Sequence, residues 1–464
     1  MSIADTVATS REVDKRILAL SLLFGGIGLG VVASVSPILA VGLVGLVFWI
    51  LVCIVSDSAA LFVIGALVPS LYLFASQADL LSKMELVADG LIGTYVLFRF
   101  GTAHKVRGDK RLVTAILLWG CYIWLSMNLG RMIVDGWEPK YLVVTGTFLL
   151  PYAWFMTAGP SLGRLHKQPI LLAGIVAGTL LSAGVFLLRT QPWSALPQSD
   201  SLAVQTFAAV GSLKNSVGLS WTLGFGILLT WKAKRGRWVR FGGLALLATA
   251  VAYSFSRSAY LALAAINLVY AWYRLRNRWL SVLVLCGLAI FLMPAAIWQR
   301  LALTWSTETG FDVSSAARLV LLQAGIKAFL TSPISGIGME SFASFVRQSG
   351  YLLQFGGDEV LAYDYSYVHN YFISLFALTG LIGGISALAV FWLGYDRSLQ
   401  SRQQGIAIGF AVQLCILAVF ITSLFGEPLF EVPMLTLFVM LLASIAFVRT
   451  GVFEAPAKNS THLR

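Results

Sequence analysis

The chain has 464 residues, of which 58% are apolar and only 12% charged, with a mean hydropathy of +0.82. These proportions exclude a water-soluble globular enzyme and a disordered chain alike. A net charge of +12 would suit a nucleic-acid binder, but the basic residues cluster between apolar runs, as expected of loops facing an anionic membrane leaflet, and no nucleic-acid partner is expected.

In chain order, Arg11, Lys15 and Arg16 precede an apolar run over 17–35 that leads directly into a second run, which reads as a signal anchor rather than a cleaved signal peptide. A helix needs about 20 residues to cross a bilayer. Runs approaching that length follow at 38–55, 59–75, 86–100, 112–128, 141–158, 170–188, 216–231, 239–255, 258–273, 279–297, 371–395, 405–423 and 432–448. The expected fold is therefore an all-α polytopic membrane protein of about 12–14 transmembrane helices. With the N-terminus inside, 23 of the 33 lysines and arginines fall on the cytoplasmic side, which is the asymmetry retained by membrane proteins. Cys53, Cys121, Cys286 and Cys415 lie in separate runs and carry no metal-like spacing.

The expected organisation is 1–240, N-terminal transmembrane helices; 241–297, helices joined at an outer Ser-Arg-x-Ala turn; 298–368, one large outer loop containing short helices; 369–448, C-terminal transmembrane helices; and 449–464, a cytoplasmic tail. Cytoplasmic loops are short, and no P-loop, dinucleotide fingerprint or HExxH is present. Chemistry is thereby directed to the outer face or the membrane interior. Within the large loop, Ser314 and Ser315 precede a helix predicted over 316–330 and stopped before Pro333. Leu319, Leu322, Ile326 and Phe329 share its apolar face, with Arg318 at the edge. Gly336 and Gly338 in Pro333-Ile-Ser-Gly336-Ile-Gly338 suit a tight turn or a close backbone approach, and less strongly a phosphate contact.

Three residues on this face carry a definite chemistry. Arg257, in Ser256-Arg257-Ser258-Ala259, lies between two runs too short to span comfortably, which would sink it below the surface into a polar recess. Arg257 and Arg318 can grip phosphate oxygens bidentately. His369, at the mouth of the 371–395 run, can take a proton from a hydroxyl near neutral pH. Asp358, Glu359, Asp364, Glu427 and Glu431 are candidates to orient the imidazole, with Glu427 favoured.

These residues resemble the O-antigen ligase and polymerase superfamily of bacterial envelope enzymes. The signature of His, then Asn, Ser or Gln, nine residues, Gly, two residues, and Gly, Thr or Tyr reads here His369-Asn370, nine residues, Gly380-Leu-Ile-Gly383. The Ser-Arg-x-Ala element and an arginine upstream of Pro-x-x-Gly-x-Gly are matched by Arg257 and Arg318, and the matches span roughly 240–385. Some ligases place an aspartate after the histidine, where this chain offers Glu427 and Glu431.

The resemblance implies a GT-C-like glycosyltransferase in the bacterial inner membrane, with both termini cytoplasmic, the large loop periplasmic and no cofactor or metal. Its donor would be a glycan on undecaprenyl diphosphate. Arg257 and Arg318 would hold the diphosphate, with Asn370, Gly336 and Gly338 as further substrate contacts, and His369 would activate the acceptor hydroxyl. Polymerisation of lipid-linked repeat units into O-antigen or exopolysaccharide is the preferred reaction. The alternative is ligation to lipid A core or protein; a lipid-linked oligosaccharide flippase is a further one. Expected partners are membrane lipids and a flippase and chain-length regulator of the same pathway.

Overall fold

A computed structural model describes residues 37–74, 77–100, 108–135, 146–164, 166–190, 213–231, 237–274, 305–306, 310–311, 313–350 and 368–448. The fold is all-α and polytopic. The helices are α1 (Pro37–Val55), α2 (Asp57–Ser70), α3 (Ala78–Phe100), α4 (Lys110–Asp135), α5 (Leu150–Leu162), α6 (Gln168–Thr190) and α7 (Lys214–Thr230). They continue as α8 (Arg237–Tyr253), α9 (Arg257–Arg274), α10 (Val313–Thr331), α11 (Phe342–Gln348), α12 (Tyr371–Gln403), α13 (Ala407–Ser423) and α14 (Val432–Ala446). Among the described residues the only strands are β1 (Trp305–Ser306) and β2 (Gly310–Phe311), a two-residue antiparallel pair. The chain divides into two compact units, Met1–Ala60 and Leu61–Arg464, and the site described below lies in the second.

Some of the helices begin where the sequence supplies a side-chain partner for the orphan N–H groups of the first turn. The Ser56 hydroxyl accepts from Ala59 N–H ahead of α2, and the Asp109 carboxylate accepts from Arg111 and Leu112 N–H ahead of α4. Four helical stretches among the described residues are long and apolar enough to cross a membrane: Asp57–Phe74, Lys110–Asn128, Gln168–Thr190 and Tyr371–Gln403. Several other expected spans are helical but shorter, α7 and α8 having 17 residues each and α14 having 15, while α3 has 23 residues and is not among the four. The runs expected at 17–35 and 279–297, and the 449–464 tail, lie outside the described residues.

The helix α12 is the axis of the second unit and packs against α4, α10 and α13. Its 33 residues would run roughly 50 Å if straight, well beyond about 30 Å of hydrocarbon. The helix is instead broken at Gly380, whose φ of 67° and ψ of −164° belong to a region essentially confined to glycine. The break releases backbone groups, and the Pro333–Gly338 segment takes them up. Leu381 N–H donates to Pro333 C=O at 2.8 Å, while Ile337 and Gly338 N–H donate to the Ala377 and Leu378 carbonyls at 3.0 Å. The Ser126 hydroxyl from α4 adds a second donor to Leu378 C=O at 3.0 Å.

This contact is backbone on backbone. A Cβ on Gly336 would lie 2.3 Å from the Leu378 carbonyl, and one on Gly380 would lie 2.2 Å from the Ile334 oxygen. The glycines of Pro-x-x-Gly-x-Gly and the first glycine of the His-Asn signature are thus two halves of one joint.

Helix α10 departs from the expected pattern of exposure. Its packed face is Leu321, Ala324, Gly325 and Ala328, whereas Leu319 and Ile326 are 45% and 47% exposed. Small residues let α10 approach α12 closely: a Cβ on Gly325 would meet Val368 at 2.8 Å. Membrane helices pair through such small residues while their larger apolar side chains can face lipid, so apolar periodicity alone does not identify the packed side. Arg318 stands at i, i+3 and i+7 with Leu321 and Gly325, which puts it on the packed face, toward the start of α12.

Candidate active site

Four helices, α7, α9, α12 and α14, begin side by side at one end of the unit, and the turns that feed them carry the candidate residues. The start of α12 is held by Asn370. Its side-chain oxygen caps the helix by accepting from Ile373 N–H at 3.1 Å, and its amide nitrogen donates to Leu424 C=O at 2.9 Å. Tyr371 N–H donates to Gly426 C=O at 3.1 Å. These bonds lay the 424–431 turn across the mouth of α12.

The result is an acid beside an imidazole. Glu427 Oε2 lies 3.7 Å from His369 Nδ1, within ion-pair range, with the carboxylate 7% and the imidazole 25% exposed. The Glu427 carboxylate accepts from the Ser374 hydroxyl at 2.8 Å and from the backbone N–H groups of His369 and Asn370. His369 has a φ of +62°, a left-handed conformation costly for a side chain with a Cβ. That conformation turns two consecutive N–H groups onto one anion. Phe255 (φ +52°), two residues before Arg257, is the other left-handed non-glycine among the described residues. Both outliers therefore mark the two turns that bear the candidate residues.

Burial raises Glu427 from 4.5 to about 7, and it outweighs the lowering effects of the Ser374 hydroxyl, the two N–H groups and the Arg318 charge. Arg318 thus acts electrostatically on the carboxylate that faces His369. Its Nε is buried and has no hydrogen-bond partner among the described residues. Glu431, four residues on, is likewise raised by burial to about 8; it accepts from the Ser216 and Tyr72 hydroxyls and feels the Glu427 charge.

A carboxyl group held at about 7 in the folded chain and near 4.5 when unfolded binds its proton more tightly when folded. Its contribution to stability is full below pH 4.5 and is lost as pH rises to about 7. Glu427→Gln is therefore expected to flatten the pH dependence of thermal stability across that window, by up to roughly 3 kcal/mol. Melting curves of detergent-solubilised wild type and variant, collected from pH 4.5 to 7.5, would show this. Parallel slopes would mean that Glu427 is not protonated by burial.

Arg257 is the first residue of α9 and is half-buried. Ser256 precedes it as a cap, accepting from Ala259 N–H at 3.3 Å. The Ser256 hydroxyl donates to Asn215 Oδ1 at 2.8 Å, and Asn215 Nδ2 lies 3.3 Å from the position of a Cβ on Gly426. Arg257, Arg318, His369 and Glu427 thus belong to adjoining segments. Asp358, Glu359 and Asp364 lie outside the described residues. Gly336 and Gly338 serve the joint with α12, and Asn370 serves the cap and the 424 turn. Asn215, Ser216 and Ser374 were not singled out in the sequence. The polar Lys214-Asn215-Ser216 step ahead of an apolar run is the signal that could have found the first two.

Residues 242–388 match the O-antigen ligase family. That match, over about a third of the chain, supports a relation to the O-antigen ligase/polymerase superfamily. A search of curated proteins finds no significant match. The matched region contains Arg257, Arg318, the Pro333–Gly338 segment, His369, Asn370 and the Gly380 joint, and it ends before Glu427. The match supports a multi-pass membrane enzyme of the O-antigen ligase or polymerase type, a family that implies lipid-linked glycan and acceptor substrates in general.

Proposed function

We propose that the protein is an inverting glycosyltransferase that polymerises undecaprenyl-diphosphate-linked repeat units on the periplasmic face of the bacterial inner membrane. The observation that carries this reading is the grouping of a histidine, a buried carboxylate at 3.7 Å and an arginine charge acting on that carboxylate at one helix mouth. The acceptor hydroxyl attacks the anomeric carbon from the face opposite the leaving group. The bond from that carbon to the diphosphate oxygen breaks with its electron pair on the oxygen, and the hydroxyl proton passes to His369. Glu427 then faces an imidazolium and, as a carboxylate, stabilises it. Arg257 and Arg318 neutralise the charge that grows on the departing diphosphate, as electrostatic transition-state stabilisation requires.

The matched family is described as O-antigen ligase, which makes transfer to lipid A core the second reading. Both are tested with purified protein and a lipid-diphosphate-linked repeat unit. A ladder of longer lipid-linked glycans without added acceptor is the expected result. Transfer only after addition of lipid A core would replace polymerisation by ligation, and no transfer with either acceptor would overturn the assignment.

A further inference from the structure

We propose that Asn215 is a positioning residue of the transfer site, holding the Arg257 turn in register with the turn that carries Glu427. The inference rests on the reading of Arg257 as a diphosphate ligand given above. Asn215 lies outside the matched region 242–388, and its place is set by what its amide touches.

An asparagine side chain offers an acceptor at one end and donors at the other, so it can lie between two segments and contact both. The Asn215 oxygen accepts from the Ser256 hydroxyl at 2.8 Å and the Ser258 hydroxyl at 3.3 Å, the two residues that flank Arg257. Both serines are buried, at 1% and 3% exposure, so water cannot readily replace this acceptor. Ser256 in addition caps α9 through Ala259 N–H, so orienting its hydroxyl orients the helix turn from which Arg257 projects.

The other end of the amide faces Gly426, whose carbonyl receives Tyr371 N–H at the mouth of α12. The next residue, Ser216, hydrogen-bonds Glu431 at the far end of the same turn. One helical turn below, a Cβ on Gly218 would lie 2.8 Å from the Ala259 Cβ, so α7 and α9 meet closely enough for the amide to reach both serines. The strained Phe255 conformation in this turn persists only because its surroundings fix it.

The test uses the full chain in detergent with undecaprenyl diphosphate as the probe, reading Kd by thermophoresis and thermal stability in parallel. Wild type, Arg257→Ala, Asn215→Ala and their double variant are compared, together with Ser256→Ala/Ser258→Ala. Arg257→Ala is expected to weaken binding by at least tenfold, and Asn215→Ala by about tenfold, since a small misplacement of a binding group is costly. The double variant should bind no more weakly than Arg257→Ala alone, because positioning an absent guanidinium contributes nothing. Ser256→Ala/Ser258→Ala should reproduce the Asn215→Ala value, and decides the matter if Asn215→Ala does not fold. Wild-type affinity in the Asn215 or serine variants, or full additivity with Arg257→Ala, would overturn the positioning role while leaving the clamp standing. Equal binding by wild type and Arg257→Ala would overturn the clamp itself, and the inference with it.

Discussion

Substituting His369 by asparagine is expected to lower glycan transfer by roughly two to four orders of magnitude while leaving the protein folded. Asparagine is the informative choice because His369 sits at a φ of +62°. Alanine there would add a backbone penalty to the chemical loss, whereas asparagine tolerates the left-handed region and keeps the two N–H groups on Glu427. What it removes is the ring that accepts a proton near neutral pH, since an amide is not basic there. The measurement is single-turnover transfer at matched protein amounts, with melting temperature as the control for folding. An asparagine variant that retains most of the wild-type rate would remove general-base catalysis from the mechanism. The imidazole is 25% exposed as a whole beside a nearly buried acid, but its Nε2, the nitrogen not facing Glu427, is itself buried, so an acceptor hydroxyl reaches it only from within the site.

The second large effect concerns stability. Gly380→Ala is expected to abolish accumulation of folded protein, with a loss above about 4 kcal/mol, at the extreme of single-residue effects. Two independent penalties coincide there. A φ of 67° with a ψ of −164° is closed to residues with a Cβ, and the added carbon would lie 2.2 Å from the Ile334 oxygen and 2.4 Å from its carbonyl carbon. Neither obstacle is a side chain that can swing aside. Gly405 supplies the comparison: its φ is +79°, but nothing lies within 4 Å of its Cβ position. Gly405→Ala should therefore cost only the conformational term, about 1–2 kcal/mol. The two variants are compared by membrane abundance and by melting. Equal, mild losses would show that the loop-to-helix joint is not a fixed contact.

Most helices were legible because the span signal is a sum over many residues: the runs at 38–55, 170–188 and 216–231 reappear within a few residues as α1, α6 and α7. Less legible was the side on which each helix packs. Leu319 and Ile326 look like a packed face by spacing, yet Gly325 and Ala328 are the ones against α12. In water the apolar side of a helix is its packed side; in lipid both sides are apolar, and closeness of approach selects the small residues instead. The site was legible in part for a related reason. Arg257, Arg318, His369 and Glu427 stand out as charged or titratable groups at the ends of apolar runs, where polar groups are costly without a purpose. Ser374 and Asn215 do not stand out, since a serine or asparagine at a helix start is ordinary capping chemistry.

Sequence alone therefore determined the class of molecule, the approximate spans and the types of group available for chemistry, because hydropathy and ionisation are properties of each residue and its near neighbours. Tertiary structure decided which of those groups meet. The 3.7 Å approach of Glu427 to His369, the raised pKa that burial imposes on it, and the Asn215 bridge to the Arg257 turn all depend on segments far apart in the chain. Such distances depend on how α7, α9, α12 and α14 pack at their common end. Gly218 lets α7 approach the Ala259 side chain of α9 at that end, and Gly336 and Gly380 join α12 to the 333–338 segment; the effect of each appears only when the facing element is in place.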